Sequence, residues 1–254
     1  MNIQWNSQTY QDQFSFVPTY GEDVLSLITQ PSGCKALDLG CGNGTLTQKL
    51  SERGYDVLGL DASEDMLALA RREHPGLRFL WGDAVTFTLD QPVDLIFSNA
   101  VFHWIDEDKQ QDMIANIARH LTPGGELVCE FGGYGCGEAV HSTLQHCFEK
   151  RGLTYPRTFY FPTIGQYAPL LEQHGLRVEV ALLFDRPTPQ QGPDGLLDWI
   201  HMFVKAPFDA MDAALQAEIE QETKQLLYHK LCQNGTWYID YVRIRLRARK
   251  ALLL

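Results

Sequence analysis

The chain has 254 residues and a formal net charge of −11, from 21 basic and 32 acidic side chains. That length fits one large α/β domain, with or without an inserted cap, and suffices to bury a core without metals or disulfides. The acidic balance argues against a duplex nucleic-acid partner, which would need clustered Lys and Arg to displace counterions.

Six cysteines (Cys34, Cys41, Cys129, Cys136, Cys147, Cys232) include no Cys-x-x-Cys pair. Neither a zinc site nor a disulfide framework is therefore expected, and reduced thiols in a cytoplasm fit the spacing. The first residues lack the basic and apolar regions of a secretory signal, and no apolar run reaches the length of a membrane span. The expectation is a soluble cytoplasmic protein with a small-molecule substrate and no nucleic-acid, membrane or metal partner. Oligomeric state stays open.

Taken in chain order, residues 1–30 carry Trp5, Tyr10, Phe14, Phe16 and Tyr20 at partly helical spacing, which predicts an amphipathic helical segment. From residue 34 to 131 short apolar runs alternate with helical patterns, the sign of βα units and a mainly parallel sheet. Strands are predicted at 35–39, 56–60, 77–81, 93–98 and 126–131. Ser63 is placed to cap a helix whose first turn holds Glu64 and Asp65. Thr122-Pro123-Gly124-Gly125 predicts a turn into the fifth strand. Beyond residue 150, Thr163 and Gln166 form a capping-box pattern, and 177–184 reads as a strand. The segment 186–193 predicts a loop, 194–204 and 210–231 helices, and 238–249 a final strand. In that strand Arg243, Arg245, Arg247 and Arg249 alternate with apolar residues, which predicts one solvated face. The whole reads as a Rossmann-like three-layer α/β sandwich with a mostly parallel seven-stranded sheet, an antiparallel final strand and a helical insertion near 190–232. The body of the domain is 31–254.

The chemistry concentrates at the ends of the early strands. Asp38-Leu39-Gly40-Cys41-Gly42-Asn43-Gly44-Thr45 is a buried strand leading through a glycine turn into a helix. Glycines there allow positive φ and close approach of a ligand to the main chain. The dinucleotide fingerprint G-x-G-x-x-G would put its third glycine where this chain has Thr45, which disfavours a nicotinamide oxidoreductase. Asp38 suits a ligand ammonium better than a pyrophosphate, and it can also hydrogen-bond the turn itself. Asp61, ending the next strand, is spaced to accept ribose hydroxyls, and Asp83 follows the third strand. Three acids at three successive strand ends converge on the crevice where open α/β sheets bind ligands.

The runs ALDLGCGNGTLTQKL, GLDASEDML, GDA, SNAVFHW and LTPGGEL resemble the class I S-adenosylmethionine-dependent methyltransferases. The flanking Trp5-Asn6, Tyr10, Gly21-Glu22-Asp23 and the stretch 98–104 are similar to trans-aconitate methyltransferase-like proteins of bacteria. The resemblance implies S-adenosylmethionine as methyl donor and S-adenosylhomocysteine as product. It implies that Asp38, Gly40, Cys41 and Gly42 hold the methionine end and that Asp61 binds the ribose. Ala62 and Met66 would line the adenine pocket, Asp83 and Ala84 would meet the adenine edge, and Asn99 would face the reaction centre. Met66 also fits plain core packing. A carboxylate acceptor needs no general base; if one is used, His103 is the candidate. Tyr10 would approach the sulfonium from the N-terminal segment acting as a lid. Acceptor carboxylates would want a cation, and Arg157, Arg186 and Arg243 are available, with Tyr134 also in reach of the acceptor. Methylation on carbon, on an acyl carrier, or cofactor binding without turnover fits the same motifs.

Overall fold

The computed structural model describes residues 23–252, which divide into two compact units. Of the expected N-terminal helical lid, residues 1–22, with Trp5 and Tyr10, lie outside the described residues, and residues 23–25 are helical. Within the described chain, the first unit comprises 23–133, 159–183 and 244–252.

Among the described residues eight strands form: β1 (Lys35–Leu39), β2 (Asp56–Asp61), β3 (Arg78–Trp81), β4 (Val93–Asn99), β5 (Leu121–Gly132), β6 (Leu176–Pro189), β7 (Cys232–Gln233) and β8 (Thr236–Lys250). Seven lie in the order β3-β2-β1-β4-β5-β8-β6, and β7 pairs only with β8. β1 through β5 are parallel, with Ala36 beside Val57 and Leu95, and Asn99 beside Glu130. Helices α1 (Thr45–Glu52), α2 (Glu64–Glu73), α3 (Gln110–His120) and α5 (Ile164–Gln173) belong to this unit.

Burial on both faces makes the parallel strands read as near-continuous apolar runs. Alternate residues still divide between two cores, as a pleated strand requires. Leu37, Leu39, Ile96, Leu127 and Phe131 join one core with Met113, Ile117 and Tyr167. Ala36, Leu95, Phe97 and Val128 join the other, with Leu46 and Leu50 of α1. The layers α, β, α follow directly.

The caps form as their sequences dictate. Ser63 accepts a hydrogen bond from Met66 N–H, and Thr163 and Gln166 complete a reciprocal capping box on α5. Two expectations need correction. The turn over 122–125 is instead the irregular start of β5: Leu121 pairs with Val93, the register slips, and Glu126 pairs with Leu95. Gly124, at φ 79°, gives the freedom that the slip requires. The loop expected from 186 begins only after Pro189, because β6 is an edge strand. An edge has one unpaired side, so Pro187 and Pro189 need cost no ladder hydrogen bond.

The predicted solvated face of β8 is also corrected. In the first unit Arg245 meets Glu130 at 2.6 Å, Arg247 meets Glu179 at 3.3 Å, and Arg249 meets Glu126 and Glu179, each at 3.2 Å. Neighbouring strands β5 and β6 supply those acids. Their partners are cross-strand carboxylates, which is why the arginines alternate with core residues Ile244, Leu246 and Ala248.

The second unit comprises 134–158 and 184–243. It contains α4 (Glu138–Glu149), α6 (Gly195–Phe203) and α7 (Ala213–Leu231). The helices expected within 190–232 therefore share a compact unit with a segment from between β5 and α5. Asp212 caps α7 through Ala214 and Leu215 N–H. Asp240 accepts from Ala139 N–H at 2.8 Å, at the N-terminus of α4. Phe148 packs edge-on against Tyr155 and Phe208. After α7, Asn234 and Gly235 at φ 52° and 81° make a two-residue hairpin that joins β7 to β8. No helix among the described residues is long and apolar enough to cross a membrane.

Candidate active site

The glycine turn after β1 is stitched to the end of β2. Gly40 and Cys41 N–H donate to the Leu60 carbonyl at 2.7 and 3.0 Å. Gly42 N–H donates to Asp61 Oδ2 at 2.9 Å, and Ser63 N–H to its Oδ1 at 2.8 Å. The third strand joins through Gly82 N–H to the Asp61 carbonyl, and the fourth through Ser98 Oγ to the Leu39 carbonyl. The carboxyl ends of four adjacent strands thus form one bonded rim.

The glycines have two duties here. Gly40 sits at φ 77°, and the space a Cβ would take is filled by the Val101 side chain. That contact fastens the turn to the loop after β4, where Ala100 adopts φ 61° and donates to the Glu130 carbonyl at 2.7 Å. A non-glycine residue in the left-handed region is a mark of imposed geometry. At Gly42, a Cβ would lie 3.3 Å from Met66 Cε. Met66 is buried and touches the turn, so it packs the floor of the rim.

Asp38 is 2% exposed and lies on the sheet face that α1 covers. Thr47 of α1 donates its hydroxyl to Asp38 Oδ2 at 2.6 Å. Burial pushes the Asp38 carboxyl up to about 7; Thr47 offsets this in part, and the charge of Asp61 adds to it. Burial also raises Asp61, against the pull of its three backbone N–H donors. Two buried acids that resist ionisation side by side are suited to a ligand cation and to hydroxyl donors. Asp83 is half-buried and accepts from Val85 N–H at 2.8 Å, which caps the turn containing Ala84. Trp81, 55% exposed, donates Nε1–H to the Ala62 carbonyl at 3.1 Å. Cys41 is buried in the turn, and its thiol is raised by that burial.

His103 follows β4 in a single 3-10 turn, 7% exposed, among Trp104, Phe159 and Phe161. Its Nδ1 accepts the Gly132 N–H at 3.2 Å. An imidazole that accepts at Nδ1 carries its proton on Nε2. The ring is therefore wired to donate from Nε2, and its one lone pair is already engaged.

Of the three candidate cations, Arg157 makes a two-pronged pair with Glu138 at 2.7 and 2.8 Å. Arg186 lies over the Phe184 ring at 5.0 Å. Arg243 is buried and lies over the Tyr241 ring at 4.3 Å. Tyr134 is 65% exposed. Sequence reading missed how Tyr241 is held: Trp199 Nε1 donates to its hydroxyl at 2.6 Å. Nothing in the spacing of residues 42 apart signals such a bond.

The strand order, the glycine turn and the acid at each strand end define a class I S-adenosylmethionine-dependent methyltransferase, and the chain belongs to that family. A methyltransferase domain profile matches residues 36–125. The chain is 37% identical to trans-aconitate 2-methyltransferase of Methylobacterium nodulans over 77% of its own length and 78% of the relative's. It is 28% identical to an uncharacterized methyltransferase of Schizosaccharomyces pombe over 97% of its length and 98% of that protein's. Among solved structures, a TehB-like S-adenosylmethionine-dependent methyltransferase of Corynebacterium glutamicum aligns with a TM-score of 0.53 at 26% identity. That alignment covers 69% of this chain and 86% of the other.

Proposed function

We propose that this methyltransferase esterifies a carboxylate oxygen of a small organic acid of the trans-aconitate kind. The observation that carries the reading is His103. Its lone pair accepts the Gly132 N–H, so no free imidazole base follows β4. A carboxylate nucleophile carries no proton at neutral pH and needs none removed. The relative from Methylobacterium nodulans, named for methylation of trans-aconitate, supports the same acceptor class.

S-adenosylmethionine, when bound, supplies a methyl group already activated on a sulfonium. The chain's own residues then have to bind, orient and exclude water. Asp38 would receive the ammonium of the methionine end, and the turn at Gly40, Cys41 and Gly42, whose own N–H groups are engaged by Leu60 and Asp61, would let that end approach the main chain. Asp61 keeps lone pairs for both ribose hydroxyls, although each of its oxygens already accepts a backbone N–H. Ala62, Met66, Asp83 and Ala84 would bound the adenine, and Asn99 would face the transferring methyl. His103, fixed at Nδ1 by the Gly132 N–H, would help to shape the acceptor's place and would take no proton from it.

The test is transfer of labelled methyl from S-adenosylmethionine to a panel of acids, amines, thiols and phenols. The reading requires label in a base-labile ester of a carboxylic acid. Label only in base-stable C-, N- or S-methyl products would overturn it.

A further inference from the structure

We propose that Asp38 gives up a proton whenever the methionine end of the cofactor binds, which makes cofactor occupancy sensitive to pH. The exchange involves the cofactor alone and is independent of the acceptor. Within the first unit Asp38 is 2% exposed, and its ladder neighbours Gly59 of β2 and Phe97 of β4 carry no charge. From α1 the Thr47 hydroxyl donates to Asp38 Oδ2 at 2.6 Å. The titratable groups beside it, Asp61 at the end of β2 and Cys41 in the glycine turn, are both acids. No lysine, arginine or histidine pairs with Asp38 or Asp61 among the described residues. Elsewhere in the same unit the buried acids of the sheet do have cations: Glu126 meets Arg249 at 3.2 Å, and Glu130 meets Arg245 at 2.6 Å.

A buried carboxyl without a counter-charge keeps its proton, because burial penalises the charged form. Asp38 is accordingly pushed up to about 7 by burial, and the charge of Asp61 adds to the rise. A ligand ammonium is the counter-charge that this place lacks. As the ammonium arrives, the neutral carboxyl releases its proton to the solvent, and the carboxylate left behind accepts N–H bonds from the ammonium. No covalent bond of the ligand changes. Asp61 stands differently, since the N–H groups of Gly42 and Ser63 already brace its charge at 2.9 and 2.8 Å. Ribose hydroxyls are neutral donors and bring no positive charge to it. The proton that leaves with binding of the methionine end therefore comes from Asp38.

The experiment is calorimetric titration of the full chain at pH 6 and pH 8 in buffers of different ionisation enthalpy, which counts the protons released. The ligands are S-adenosylhomocysteine and methylthioadenosine, which keeps the adenosyl thioether and lacks the amino-acid end. S-adenosylhomocysteine should release about 0.9 proton at pH 6 and about 0.1 at pH 8, and it should bind about tenfold more weakly at pH 6. Methylthioadenosine should release less than about 0.2 proton and bind within about twofold at both pH values. Asp38→Asn should release no proton with S-adenosylhomocysteine, while its retained binding of methylthioadenosine reports an intact rim. Absence of proton release from the wild type with S-adenosylhomocysteine at pH 6, equal release with both ligands, or undiminished release in Asp38→Asn overturns the proposal. Failure of the wild type to bind S-adenosylhomocysteine at pH 8 would overturn it together with the cofactor assignment.

Discussion

Asp38 is where the cofactor and the stability of the fold pull in opposite directions. Its carboxyl is raised to about 7 by burial, so the folded state holds a proton there that the unfolded chain releases near pH 4. The sign follows: between about pH 4 and 7 the folded state binds more protons, and this group's contribution to stability declines as pH rises through that window. Asp38→Asn should raise the unfolding temperature at pH 8 by several degrees, because it removes a buried ionisation while keeping an acceptor for Thr47. It should also weaken S-adenosylhomocysteine binding at least tenfold. A variant with lower stability at pH 8 would contradict the burial argument. His103 poses the complementary case. His103→Asn retains an acceptor near the Nδ1 position, and it should cost under about tenfold in kcat. Loss of a working base would cost about a hundredfold or more and flatten the acid limb of the rate profile.

At the scale of elements, β5 carries more than its apolar residues suggest. Glu126 is fully buried and accepts from Thr29 N–H and Oγ1, both at 2.7 Å, from Gln30 N–H at 3.0 Å, and from Arg249 at 3.2 Å. Glu126→Gln points an amide at Arg249 and should destabilise the protein by about 3 kcal/mol, read from the denaturation midpoint. A loss under about 1 kcal/mol would mean that the network contributes little. The parallel strands were legible in sequence because apolar runs and caps are local signals, as at Leu37, Ser63 and Thr163. The acids at the rim were legible because a motif fixes their place at strand ends. Glu126 and Glu130 were not, since an acid inside a buried strand declares its partner only when a distant arginine arrives beside it. The Asn234-Gly235 hairpin did have a local signal, an Asn-Gly pair before a β-rich run, and the long helical pattern ahead of it obscured that turn. The bulged start of β5 misled in the opposite sense. Pro123, Gly124 and Gly125 read as a turn, whereas the ladder resumes around them.

For the whole molecule, the two units should respond to pH with opposite signs. In the second unit His141 is buried, hydrogen-bonded to the Tyr155 hydroxyl at 2.7 Å, and pushed down to about 4 by that burial. The unfolded chain protonates this ring near pH 6.5, so the contribution is full above that pH and is lost as pH falls toward 4. Acidification from pH 7.5 to 5 should accelerate hydrogen exchange in α4 and α6 relative to β1 and β2, by up to about tenfold for each pH unit of mismatch after correction for intrinsic rates. Equal changes in both units would contradict this division. The central claim, that the rim at the ends of β1 to β4 binds an adenosyl sulfonium cofactor, is tested most directly by calorimetric titration. Wild type and Asp61→Ala would each be titrated with S-adenosylmethionine, S-adenosylhomocysteine and NAD. The account predicts binding of both adenosyl ligands, no NAD binding, and at least about tenfold weakening in Asp61→Ala through loss of the ribose contacts. Binding of NAD alone, or adenosyl binding indifferent to Asp61, would contradict it.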